Sequence, residues 1–290
     1  MAEVKKKLLC FGEVLWDIID GTAYIGGAPF NVAAHSARGG IETWLVSAVG
    51  DDSLGKKTME TIRSYSICTD LVQVIKGKET GTVVVSVDAQ GQPSYDIRQD
   101  AAWDCIRIDE AGAEGIKKSG FSCLLFGTLA QRCKVSELSL AVLKKKLSGC
   151  DFCCDINLRQ SFWNNQILKS SLRGTKILKL NGDELNIISQ SLYNQTLTSE
   201  KFAEKAAEDF GIKIIALTLG ADGVDVYESG KKHHISGIQV NVVDTVGAGD
   251  AFTAGFLSGL MHDFSVIESA EHANKLGAET AARRGALPPL

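Results

Sequence analysis

Long apolar runs are missing from this chain: no stretch approaches the ~20 residues that a helix needs to cross a bilayer. The first apolar segment, Leu8-Leu9-Cys10-Phe11, is broken at once by Gly12-Glu13 and is too short for the core of a signal peptide. Proline is scarce, with four in 290 residues, so no rigid linker stands out, and the length suits one large α/β domain or two smaller ones. An excess of one charge sign is missing too. The net charge is −4 and the two signs are scattered, which argues against a nucleic-acid groove or a basic membrane face. The one basic cluster, Lys5-Lys6-Lys7, reads as a solvated entrance to the first strand. Internal repeats and low-complexity tracts are absent, and a usage of 44% hydrophobic and 23% charged residues is ordinary for a globular protein.

Metal- or disulfide-type cysteine patterns are lacking as well. Eight cysteines lie at positions 10, 68, 105, 123, 133, 150, 153 and 154, mostly in apolar, strand-like contexts. Cys150 and Cys153 have no second pair and no spaced histidines to complete a metal site. Reduced thiols in a cytoplasmic protein are expected, and Asn194-Gln195-Thr196 is then a chance glycosylation match.

What the chain does have is alternation. From about residue 106, apolar runs at Cys123–Phe126, Phe152–Ile156, Ile177–Leu180 and Ile212–Leu219 are separated by segments of helical spacing such as Val135–Leu147 and Glu200–Phe210. Short continuous apolar strands between helices predict a parallel sheet covered on both faces, a doubly wound α/β core. Two regions break the rhythm. Thr22–Ile25 ends in Gly26-Gly27, while Leu71–Ile75, Thr82–Asp88 and Ser94–Arg98 have no helix between them. With a hairpin turn at Gln90-Gly91-Gln92-Pro93, these predict a small antiparallel sheet from about 20–27 and 70–100. It is either a lid over a ligand crevice or an ornamental insertion.

The strongest local signal is Asp244-Thr245-Val246-Gly247-Ala248-Gly249-Asp250-Ala251-Phe252, between a strand-like run (Gln239–Val243) and a small-residue helix reaching about Met261. Free backbone N–H groups and the positive end of a helix dipole at such a turn suit an anion. Asp250 is out of place there unless it has a chemical task. It either takes a proton from an attacking hydroxyl or merely caps the helix. Two look-alikes fail. Gly50–Lys57 has a phosphate-loop spacing, but Lys57 stands where magnesium needs Ser or Thr. The run from Gly247 has Phe252 where the dinucleotide fingerprint needs its third glycine.

A second motif, Gly26-Gly27-Ala28-Pro29-Phe30-Asn31-Val32-Ala33, lies more than two hundred residues upstream. The pair resembles the two signatures of the ribokinase-like (PfkB) family of carbohydrate kinases, over essentially the whole chain. The resemblance implies a Rossmann-like, doubly wound, mostly parallel sheet with a β-sheet lid, ATP and Mg²⁺ as cosubstrates, and an aspartate base. It assigns Asp250 as that base and the backbone of Gly247, Ala248 and Gly249 as the anion hole. It assigns Gly27, Asn31 and Asp17 to sugar hydroxyls, Asp17 being expected just past the first strand. Asn181-Gly182-Asp183-Glu184 fits the family's Asn-x-x-Glu element, in which Glu184 helps to position Mg²⁺ and phosphate. Thr218, Gly220 and Gly223 resemble the turn that receives the ATP phosphates and ribose, and Asn274 resembles a position lining the adenine. Asp244 and Val246, with the region of Ala286, match a monovalent-cation (K⁺) site that not every member uses.

Several segments are most similar to fructokinases: Gly12–Asp17, Ala102-Trp103-Asp104, Gly127–Arg132 and Asp155–Gln160. The implied reaction converts D-fructose and ATP to fructose 6-phosphate and ADP, with Asn157 and Arg159 in the crevice and Arg98 and Arg132 as further contacts. Another sugar such as 2-keto-3-deoxygluconate or ribose is an alternative substrate, with Tyr95 and Arg98 on the lid as contacts for an acid sugar. A non-catalytic sugar-binding regulator on the same fold is the alternative from another class. Phe30 departs from the small residue usual in its motif; it either narrows the sugar pocket or packs beneath the helix. Val246 replaces a more frequent threonine. A homodimer through exposed lid strands follows from the family and from edge-strand physics.

Overall fold

A computed structural model describes residues 6–19, 21–87 and 93–290. Lys5, the first lid residue Asp20, Asp88 and the turn expected at Gln90–Gln92 lie outside these, as does the side chain of Tyr95.

The core is one large sheet. Its parallel part, in spatial order, is β10 (Ile177–Asn181), β9 (Asp151–Asp155), β8 (Cys123–Phe126), β1 (Lys7–Phe11), β4 (Glu42–Gly50) and β5 (Val72–Ile75), with β11 (Ile214–Thr218) beside β10. Two antiparallel strands, β12 (Gly223–Glu228) and β13 (Lys231–Ser236), extend it beyond β11. Strands covered on both faces should be apolar at every position, and Leu8, Leu9, Cys10 and Phe11 are all fully buried. Alternate residues enter two separate cores: Leu9, Phe11, Leu124 and Phe126 in one, Leu8, Cys10 and Leu125 in the other. The first core is closed by α3 (Glu110–Lys118), α4 (Lys134–Lys146), α5 (Asn165–Leu172), α6 (Gly182–Tyr193) and α7 (Ser199–Phe210). The second is closed by α1 (Ala28–Arg38), α2 (Ser53–Ser64), α8 (Ala248–Met261) and α9 (Val266–Ala281). This is the doubly wound, mostly parallel α/β architecture expected.

The small sheet is also present, with order β3 (Thr22–Gly26), β2 (Leu15–Ile19), β6 (Gly81–Val87) and β7 (Pro93–Ile97). Its composition differs from expectation in two places. Val72–Ile75 is not a lid strand: it pairs in parallel with β4 and forms the edge of the large sheet. Asp17, expected just past the first strand, instead lies within Leu15–Ile19, an interior lid strand between β3 and β6. Gln239–Val243 is not a strand either; the segment runs without a ladder, and Val243 N–H bonds the Ala281 carbonyl.

Two local questions close here. The helix after Gly50 is α2, whose N-cap Asp52 accepts from Gly55 N–H at 2.7 Å and also grips Thr80 through N–H (2.8 Å) and hydroxyl (2.7 Å). That terminus is spent on the chain itself. Phe30 is fully buried, edge-on to Tyr65 at 6.2 Å, and so packs beneath α1 rather than into a pocket. All eight cysteines are free thiols.

Candidate active site

The carboxyl ends of β1, β8, β9 and β10 point to one side, and α1 and α8 begin there, packed on each other. Gly247 is the N-cap of α8 in the left-handed region (φ 77°), and a Cβ there would lie 2.3 Å from the Ala286 Cβ. Only glycine fits both demands. Ala248 N–H turns back to the Thr245 carbonyl at 3.2 Å, while the N–H groups of Gly249 and Asp250 have no acceptor among the described residues. Those two donors and the dipole of a 14-residue helix make a place for an anion.

Asp250 stands at this terminus with Oδ2 accepting from Asn31 Nδ2 at 2.7 Å. Asn31 lies in the first turn of α1, buried, with its N–H on the Gly27 carbonyl (2.9 Å) and its Oδ1 unpartnered. Gly27 has φ 109°, and a Cβ on it would lie 2.5 Å from the Glu13 carbonyl oxygen. The two sequence motifs therefore meet in one hydrogen bond. Burial lifts the Asp250 carboxyl to about 6; the charge of Asp155 adds to the rise, and Asn31, Lys179 and Arg159 oppose it.

Asp17 sits within β2 rather than past β1, opposite Val83 of β6 and Tyr24 of β3. Burial raises it to about 6 against the pull of Arg159. Asn157 and Arg159 follow β9, with Asn157 at φ 45°. The Arg159 charge acts on Asp17, Asp250 and Glu13 alike, so the loop after β9 faces the carboxylates.

Two arginines are not brought to this place. Across the lid, Asp17, Val83 and Ile97 share a face, so Arg98, one residue on, belongs to the other. Arg98 pairs with Glu79 there. Arg132 is a buried strut: its guanidinium bonds both oxygens of Asp104 (2.8 and 2.7 Å) and the Arg98 carbonyl (2.6 Å). It is sandwiched between the rings of Trp103 (4.0 Å) and Phe162 (4.6 Å). These contacts join the lid base to the core through Nε and Nη2, while Nη1 is buried without a partner.

On the other flank, Asn181 and Glu184 form a reciprocal cap of α6: Asn181 Oδ1 accepts from Glu184 N–H (2.9 Å) and Glu184 Oε2 from Asn181 N–H (2.8 Å). Glu184 Oε1 accepts from Leu158 N–H at 3.0 Å and so holds the loop that carries Arg159. Among the described residues no three His, Cys, Asp or Glu side chains gather as a metal cluster. Thr218 ends β11, Gly220 follows at φ 62°, and Gly223 (φ 103°) packs against the Ile235 carbonyl, where a Cβ would approach to 2.1 Å. Asn274 of α9 donates to the Ser236 carbonyl at 2.8 Å. Asp244 accepts from the N–H groups of Val246 (3.0 Å) and Gly285 (3.1 Å), which draws the C-terminal segment onto the Gly247 turn.

Sequence reasoning missed a buried ion pair beneath the anion site. Lys179 Nζ bonds Asp155 Oδ1 at 3.1 Å, and Thr253 donates to Asp155 Oδ2 at 2.7 Å. A Cβ on Gly249 would lie 3.3 Å from that ammonium. Burial works against the Lys179 charge, but Asp155, Glu184 and Asp250 outweigh it and hold the ammonium above the ordinary lysine value. The signal was available: a lysine in the centre of one apolar strand and an aspartate at the end of its neighbour, opposite one another in register. Glu13 was also missed. It is buried at the end of β1, lines a narrow cavity with Asp155 and Asn157, and is lifted by burial to about 7.

Comparison with known proteins agrees with this architecture. The model of the pfkB family carbohydrate kinases matches residues 2–290. A probable chloroplastic fructokinase-6 of Arabidopsis thaliana is 27% identical, covering 98% of this chain and 79% of that protein. A double mutant of fructokinase from Vibrio cholerae, solved with fructose, ADP and potassium, superposes with a TM-score of 0.84 at 23% identity, covering 99% of this chain and 95% of that one. A 2-dehydro-3-deoxygluconokinase from Thermotoga maritima gives the same TM-score, 0.84, at 21% identity, covering 98% and 96%. At these identities the structures establish the fold alone.

Proposed function

This chain belongs to the pfkB family of carbohydrate kinases, and on that premise we propose that it transfers the γ-phosphoryl group of ATP to the hydroxymethyl group of a neutral sugar, D-fructose, with Asp250 as the base. The carrying observation is the 2.7 Å bond between Asn31 Nδ2 and Asp250 Oδ2, which couples a sugar-side motif to a carboxylate at an anion-binding helix terminus. With Oδ2 so occupied, Oδ1 takes the proton of the attacking hydroxyl. The unpartnered Oδ1 of Asn31 accepts from a sugar hydroxyl, and Asp17 holds another from the lid. A base titrating near 6 is ionised at neutral pH yet remains a useful proton acceptor. The N–H groups of Gly249 and Asp250 and the Lys179 ammonium hold the charge of the group in transfer.

Mg²⁺ bound with ATP would neutralise phosphate charge, and Glu184, with both oxygens already on backbone N–H groups, would contact it through water. Thr218, Gly220 and Asn274 flank the nucleotide in this reading. K⁺ binds by the Asp244–Val246 turn, so replacing K⁺ by a large organic cation should slow turnover.

The neutral sugar is favoured by charge. Asp17, Glu13 and Asp250 converge with Arg159 as their common cation, so a sugar acid meets more repulsion than attraction. The test is a screen of the purified chain with ATP and Mg²⁺ against fructose, ribose, tagatose, mannose, 2-keto-3-deoxygluconate and adenosine. Fructose should give the highest kcat/KM. Equal or better turnover of the acid sugar overturns the fructose assignment, and turnover of none overturns catalysis in favour of a sugar-binding regulator. A homodimer through the lid, where Ile19 and Tyr24 are exposed, belongs to the same proposal; a single-protomer mass in solution would remove it.

A further inference from the structure

Helix α1 carries Asn31 yet has no anchor of its own at its first turn. Its N-cap is Gly27, which offers no side chain, and no acidic residue lies in that turn. A buried acid comes from elsewhere: Glu13, in the loop from β1 to β2, is 3% exposed. Its carbonyl oxygen lies against Gly27, it lines one cavity with Ala28 and Pro29 of that turn, and the backbone N–H groups of Glu13 itself and of Ala28 favour the ionised form of its carboxylate. The positive end of the α1 dipole is thus met by a carboxylate supplied across the chain.

We propose that Glu13 is a positioning residue: its carboxylate fastens the first turn of α1, thereby holding Asn31 on Asp250, and protonating it loosens that hold. The proposal rests on the reading of Asp250 as the base. The charged groups facing Glu13 are Asp250 from α8 and Arg159 from the loop after β9. Asp155 of β9 lines the same cavity, but its charge is paired with Lys179. Burial is the main reason Glu13 stays protonated to about 7, the Asp250 charge adds to it, and the two N–H groups and Arg159 oppose it. Asp250, at about 6, remains ionised in the interval between. As pH falls from 8, Glu13 therefore gains its proton first, and the cap weakens while the base is still competent.

The experiment is kcat as a function of pH for the wild type, Glu13→Gln, Asn31→Ala and the double variant. Glutamine keeps the size and one acceptor but not the charge, so it imitates the protonated state. Glu13→Gln should be roughly fivefold slower than the wild type at pH 8, the effect of a lost helix cap. The two rates should converge near pH 6, and their ratio cancels the titration of the nucleotide. In the Asn31→Ala background the same substitution should add nothing, because Glu13 acts through Asn31. A ratio that stays constant with pH, or a full effect in the Asn31→Ala background, overturns the proposal. If Glu13→Gln fails to fold, Asn31→Ala alone still tests it: the part of the acid limb due to Glu13 must vanish, and its persistence refutes the idea. Asp250→Asn, measured alongside, should lose about 10²–10⁴-fold in kcat at every pH if the base is correctly assigned; a near-normal rate there would sink that assignment rather than this one.

Discussion

Asp250→Asn separates the two roles open to an aspartate at a helix start, because they move stability in opposite directions. As an ordinary helix-terminal acid, Asp250 would favour folding by about 0.3–1 kcal/mol, and removing its charge would lower the melting temperature. As a buried base it does the reverse. Its carboxyl is lifted from an ordinary 3.8 to about 6, mainly by burial, so the folded state binds a proton more tightly than the unfolded one. At 1.36 kcal/mol per pKa unit, the ionised form handicaps folding by at most about 3 kcal/mol. That handicap is full above pH 6 and fades as pH falls through 6 towards 3.8. The neutral amide escapes it, and its oxygen can still accept from Asn31. For 290 residues the unfolding entropy is about 0.6 kcal/mol/K, so Asp250→Asn should melt up to ~5 °C higher than the wild type at pH 8 and close to it at pH 4. Turnover should fall about 10²–10⁴-fold, a barrier increase of about 3–5 kcal/mol, with sugar affinity little changed. Thermal melts at the two pH values, single-turnover rates and equilibrium sugar binding measure all three. A lower melting temperature at pH 8, or a near-normal rate, refutes the reasoning.

Lys179→Met should destabilise the protein by about 3–5 kcal/mol, since it leaves Asp155 buried with Thr253 as its remaining partner; adding Asp155→Asn should restore part of the loss in chemical denaturation, and no recovery would mean the pair is not the cause. Arg132→Met should cost about 3–5 kcal/mol by stranding buried Asp104 while leaving sugar KM within about twofold. A raised KM at unchanged stability would return Arg132 to the sugar site.

What the sequence concealed in the fold concerns partner choice. Val72–Ile75 and Gly81–Val87 are both short β-prone runs without a helix between them, and nothing local distinguishes them. One joins β4 in parallel and the other joins β2, as pairings across the chain decide. Leu15–Ile19 was hidden because it follows β1 after three residues, so Asp17 read as lying just past that strand. Its separation is visible in pairing: β1 lies between β4 and β8, whereas β2 lies between β3 and β6. The doubly wound core was legible because burial on both faces imposes near-continuous apolar runs such as Leu8–Phe11 in β1 and Cys123–Phe126 in β8, a pattern that does not depend on the partner's identity.

The same division runs through the site. Gly27, Asn31, Gly247 and Asp250 could be read in sequence because backbone conformation demands glycine at two of them and the chemistry demands an amide and a carboxylate beside them. Glu13, Lys179 and Asp155 could not be read by motif, because their roles arise from neighbours brought by β1, β9 and β10. Yet each broke a local rule: a charge inside an apolar strand, or a carboxylate at its buried end. A buried charge is costly unless paired or bonded, so such a residue announces a partner without naming it. Here the partners lead to the same helix starts. Asp155 reaches α8 through Thr253, which also donates to the Gly249 carbonyl at 3.0 Å, and Glu13 reaches α1 through Ala28. The buried charges thus brace the two helices from which Asn31 and Asp250 meet, and the proposed base owes its position to residues outside both sequence motifs.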